Sequence, residues 1–139
     1  MPCGRYCGRT GCGRAQDRVP MSLDDFFAGR EDSRRLFDVV RATVEAIGPA
    51  QIRVGKRQIS FVHGRAFAWA WIPGRYLHRN RTPLVLTISL YHRDTSPRWK
   101  EIVEPVPGRF THHLELHTAD AIDAEACGWL REAWQAATQ

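Results

Sequence analysis

The sequence predicts an α+β two-layer sandwich, a five-stranded antiparallel sheet with an N-terminal and a C-terminal helix on one face. Three observations lead there. Leu36, Phe37, Val40, Val44 and Ile47 recur at three- and four-residue intervals and draw one apolar stripe along a helix. From Gln51 to Leu116 the apolar period drops to two, the spacing of side chains on one face of a strand. Ile122, Ala126, Leu130, Ala133 and Trp134 then restore the helical period.

In chain order, Ser22 with Asp25 three residues later makes a near capping box, and Phe26 and Phe27 start an apolar face that Gly29 ends. Glu31 or Asp32 opens the longer helix, and Gly48-Pro49 stops it after Ile47. Gln51–Val54 and Gln58–Val62 alternate on either side of Gly55-Lys-Arg57 and predict a hairpin. In Ala66–Ile72, Phe67, Trp69 and Trp71 fall on one face and Ala66, Ala68 and Ala70 on the other. The alanine side suits a second layer packed close. Leu84–Leu90 reads as a buried strand and Phe110–Leu116 as the last one. Between them, Tyr91 to Arg109 is expected to be a long crossing loop, with one helical turn over Trp99–Glu104, exceeding the roughly 12–15 residues at which loops become unusual. Thr118 to Asp123 caps the closing helix, which runs from Ile122 to about Ala137.

The 139 residues are one domain's worth of chain. Residues 21–139 are read as that domain. Residues 1–20 are read as a disordered Cys/Gly/Arg-rich tail, and Met21 is an alternative beginning of the native protein. Cys3, Cys7 and Cys12 stand in a C-x3-C-x4-C pattern, one ligand short of the usual tetrahedral zinc set, with Cys127 far off in the closing helix. No cofactor is expected.

The net charge of +5 is concentrated in the tail, where four arginines face one aspartate. Residues 21–139 carry 16 basic and 14 acidic groups, so a nucleic-acid partner is not expected. No stretch approaches the roughly 20 apolar residues of a membrane span, and the N-terminus has no signal-peptide core. A cytoplasmic setting with reduced thiols is the expectation.

The phrases Phe67-Ala-Trp-Ala-Trp-Ile72, Ser96-Pro-Arg-Trp-Lys100 and His112-His-Leu-Glu-Leu116, in this order of elements, resemble a family of small uncharacterised bacterial domains of unknown function, related to the YdhG-like α+β domains. The resemblance covers about Leu23 to Ala137 and matches Arg98, Trp99, Lys100, His112 and His113 to recurring phrases of that family. It implies a fold and no activity.

No phosphate-binding glycine loop, nucleophile elbow or zinc-protease helix is present. His113, Glu115 and His117 alternate to one face, which fits either an open metal triad or a solvated strand face, and the second accounts for the same spacing. The parity of His112 places it with Phe110, Leu114 and Leu116, as a core histidine held by hydrogen bonds or a base at a pocket edge. Lys56, Arg57, Arg98, Lys100 and Arg109 fall in turns or the long loop and would hold an anion if they met at one end of the sheet. Trp99 either stacks on a ligand ring or plugs the loop onto the core. The resulting expectation is a binding domain without covalent chemistry, acting as a monomer or homodimer. Its ligand is an anionic small molecule or a protein partner, held by Arg98, Trp99, Lys100, His112 and His113. The alternative is a small enzyme with His112 or His113 as base or metal ligand.

Overall fold

The computed structural model describes residues 21–75 and 81–138. The Cys-rich pattern of the first 20 residues lies outside them. Helix α1 (Leu23–Phe26) is followed by α2 (Glu31–Ile47), then strands β1 (Gln51–Val54), β2 (Ile59–His63), β3 (Arg65–Trp71) and β4 (Leu84–Leu90). Strands β5 (Glu101–Val106) and β6 (Arg109–Leu116) and helix α3 (Ala124–Ala136) complete the chain, with short 3-10 turns at Pro73–Arg75 and Ala119–Ala121. All strand pairs are antiparallel, in the order β1-β2-β3-β4-β6-β5.

Helices α1 and α3 start where side chains satisfy free N–H groups, whereas α2 begins after Arg30 without a side-chain cap. Ser22 and Asp25 complete a reciprocal capping box at α1. Asp123 accepts the Ala126 N–H at 3.0 Å and opens α3. The stripe of α2 buries Leu36, Phe37, Val40 and Val44 as its spacing requires.

One cross-strand row shows which face the helices cover. Ile52, Phe61, Ala68, Ile88, His112 and Ile102 are successive partners across all six strands. Phe37 of α2 stacks on Phe61 at 5.7 Å, and Trp99, packed at 4.1 Å on Trp129 of α3, also touches the ring of His112 at 4.8 Å. Both helices therefore meet the same side of the sheet. Ala68 and Ala70 lie on that side, fully buried, where small side chains let the helix layer approach.

Three expectations need correction. The sheet has six strands, because the segment read as a helical turn within a long loop is the edge strand β5, paired along β6. Pro107-Gly108 closes that hairpin, with Gly108 at φ +81°, a backbone conformation glycine adopts without steric cost. The register also slips between Phe61 and Val62, a β-bulge that resets the alternation in β3. Phe67 consequently joins the core with Ala68 and Ala70, while Trp69 and Trp71 stay half-buried opposite Thr87 and Val85.

Candidate functional site

The five residues expected to form one site are divided between the two sides of the sheet. His112 has no solvent exposure. Its Nε2 accepts the Asp94 backbone N–H at 3.0 Å, which leaves the proton on Nδ1 to be donated to the Phe110 carbonyl at 3.2 Å. Burial holds its pKa below the usual imidazole value, so the ring is a neutral, fully satisfied core group.

Trp99 lies between His112 and Trp129 and donates its indole N–H to Asp94 Oδ2 at 2.9 Å. Burial pushes the Asp94 carboxyl up, but the Trp99 indole, the Ser96 N–H and the Trp129 indole together hold it below the ordinary range. Arg98 is pinned over the start of α3. Its guanidinium donates to Asp123 at 3.0 Å, to Glu125 at 2.8 Å and to the Ala121 carbonyl at 2.8 Å, and sits 5.4 Å from the Trp129 ring centre. Its hydrogen bonds to the Glu125 and Asp123 carboxylates raise its pKa. These three groups tie the Tyr91–Lys100 loop to α3. Lys100 is exposed and gives its backbone N–H to the His113 carbonyl.

His113 belongs to the opposite, outer side. Successive strand partners there are Trp69, Thr87, His113 and Glu101. Trp71 donates its indole N–H to Thr87 Oγ1 at 2.9 Å, and Thr87 Oγ1 lies 2.7 Å from His113 Nδ1. Trp71 also meets the His113 ring edge-on at 6.0 Å. Burial lowers the His113 pKa, opposed by the charge of Glu101. His117 stands 3.8 Å from Glu115, and among the described residues no group of three or more His, Cys, Asp or Glu side chains could hold a metal ion.

The outer face continues towards the end of the sheet where β4 finishes and β3 and β6 begin. Ser89 and Thr111 are partners in the row next to Thr87 and His113. Beyond them Arg65 donates to Tyr91 Oη at 2.7 Å and Arg109 donates to the same oxygen at 3.3 Å. The Arg109 guanidinium also lies 5.4 Å from the Tyr91 ring centre and has no ion-pair partner among the described residues. The buried side chains of α1, α2 and α3 all enter the core on the other face, so among the described residues no helix lies over this surface.

Of these outer residues the sequence pointed to Arg109 as an anion contact and to His113 with Glu115 and His117 as a face, but not to Arg65 or Tyr91. Tyr91 and Arg65 were legible in principle, because Tyr91 continues the parity of β4 and Arg65 opens β3. Cavities among the described residues lie elsewhere, beside α2. One of about 430 Å³ is bordered by Arg30, Asp32, Arg81 and Pro83, and one of about 520 Å³ by Leu36, Val39, Pro83 and His117. The first mixes both charge signs, and Ser33 on its wall spends its hydroxyl on the Pro83 carbonyl.

No helix among the described residues is long and apolar enough to cross a membrane. Comparison with curated proteins and with solved structures gives no match. A family model does match over residues 23–137, which takes in every helix and strand described above, and the chain therefore belongs to the family of the domain of unknown function DUF5655.

Proposed function

We propose that this protein is a binding domain that performs no covalent chemistry and holds an anionic small molecule on the outer face of its sheet. One observation carries the reading, the convergence of Arg65 and Arg109 on Tyr91 Oη at 2.7 and 3.3 Å. Two guanidinium nitrogens on a single neutral oxygen are separated by no more than the sum of those distances. An anion seated beside both side chains would accept charge-assisted hydrogen bonds from the two guanidinium groups. Arg is suited to this because its planar fork matches phosphate and carboxylate oxygens. The anion site thus moves from the Arg98–Lys100 loop, whose guanidinium is committed to α3, to the strand ends around Tyr91.

The test is calorimetric titration of the full chain with inorganic phosphate and with citrate. Arg65→Ala and Arg109→Ala should each weaken binding about tenfold or more, in line with the loss of a charge-assisted hydrogen bond. Binding of neither anion, or affinities unchanged in both variants, would overturn the proposal.

A second reading, a small enzyme with His113 as base, has the 2.7 Å contact between Thr87 and His113 in its favour. Against it, Thr87 is only 5% exposed and its oxygen already accepts from Trp71. Hydrolysis of a phosphate monoester that disappears in His113→Ala would favour the enzyme. A protein partner on the same face, kinship with YdhG-like domains, a bacterial origin and a cytoplasmic setting remain parts of this proposal.

A further inference from the structure

The outer face is ordered along its strands by chemical type. At one end stand the cations Arg65 and Arg109 with the phenol of Tyr91. Two residues further along β4 and β6 come the hydroxyls of Ser89 and Thr111, partners across the ladder. Two residues further again lie Trp69, Thr87 and His113 in one row, with Glu101 at its edge. Glu115 follows, in the row of Trp71 and Val85. From the cationic row to the Trp69 row is four residues of strand, about 13 Å. Trp69 is half-buried, and its indole N–H has no hydrogen-bond partner among the described residues. A half-buried aromatic ring with an unpaired donor is a stacking surface with one polar handle.

We infer that this face binds a nucleoside monophosphate, with its phosphate on Arg65 and Arg109, its sugar over Ser89 and Thr111, and its base against Trp69. The inference rests on the anion-binding reading above and names its ligand. The order of cation, hydroxyl and aromatic along the face matches the order of phosphate, sugar and base along the ligand, over a comparable length. Charge also favours a single nucleotide over a strand of nucleic acid. At the edge of the Trp69 row stands the carboxylate Glu101 and in the next row Glu115, and both would repel a second phosphate.

The experiment is titration of the full chain with AMP, adenosine, inorganic phosphate and a single-stranded oligonucleotide of about ten residues, a length that would span several stacking positions. AMP should bind at least tenfold more tightly than phosphate or adenosine, and should quench tryptophan fluorescence. Trp69→Ala should bring AMP to the level of phosphate while phosphate binding stays unchanged, Trp69→Phe should retain part of the gain, and Arg109→Ala should weaken AMP and phosphate alike. A melting curve of each variant confirms that it is folded, and Trp69→Phe serves if Trp69→Ala is not. If phosphate binds but AMP gains nothing, or the folded Trp69 variant binds AMP as before, the nucleotide inference fails and the anion site stands. If neither binds, both fail together. Tighter binding of the oligonucleotide than of AMP would overturn the choice of a mononucleotide.

Discussion

His112 Nε2 accepts the backbone N–H of Asp94 at 3.0 Å, on a ring that has no exposure to solvent. The bond fixes the tautomer and anchors the loop after β4 to the centre of β6. It also makes the fold sensitive to acid. Burial depresses the pKa of both His112 and His113. Each group therefore contributes stability that is complete above the unfolded value of about 6.5 and is lost as pH falls from there through the folded pKa. Urea melts at pH 7.5 and pH 5.5 should show lower stability at the lower pH, with a slope of up to about 1.4 kcal/mol per pH unit for each titrating group. His113→Gln should flatten part of that slope, and equal stability at the two pH values would contradict the account.

Trp99 is a packing anchor, 9% exposed, between His112 and Trp129. Trp99→Ala removes both ring contacts and strands Asp94 Oδ2 without its indole donor. The expected loss is about 3 kcal/mol or more in a denaturant melt. Trp69→Ala on the outer face should cost less than half of that, which separates the two tryptophans by role.

Arg98 is expected to matter through geometry more than charge. Its side chain is partly exposed, so its pairs with Asp123 and Glu125 are screened by water. Arg98→Ala should lower stability by about 1 kcal/mol, less in molar salt. Arg98→Lys should recover under half, because an ammonium cannot reach two carboxylates and the Ala121 carbonyl as a fork does.

Gly48 leaves room for an indole. Its φ of 169° is open to any residue, yet an added Cβ would meet Trp134 Cζ2 at 2.3 Å. Trp134 has little freedom to yield, since it stacks on His63 at 4.1 Å and donates to the Pro49 carbonyl at 2.9 Å. Gly48→Ala should cost about 1–3 kcal/mol, read from the melting midpoint. Trp134→Leu in the same background should remove most of that penalty, a coupling a double-mutant cycle measures.

The sequence showed those elements whose burial is periodic. The α2 stripe and the apolar run of β4 are continuous patterns, and both elements run as expected. Strand β5 was hidden because an edge strand need not alternate. Five of its six residues are exposed, and it contains Pro105. Parity was enough to place His112 in the core and His113 opposite it. It failed for Phe67, because a bulge is a property of the pairing with β2 and leaves no mark in the strand's own alternation. The commitment of Arg98 was equally invisible, since its carboxylate partners lie 25 and 27 residues further on. The cluster around Tyr91 depends on three strand ends meeting, which only the sheet order supplies.

Pro105 and the register slip between Val103 and Val106 also decide where the sheet ends. A strand from another molecule could pair regularly only along Glu101–Val103, because Pro105 has no N–H to offer and the ladder breaks just before it. Carboxylates at Glu101 and Glu104 flank that short run and repel their counterparts on a second copy. Val103 and Val106 can thus stand open to water without seeding a fibril, since the backbone beneath them gives an incoming chain too little to copy.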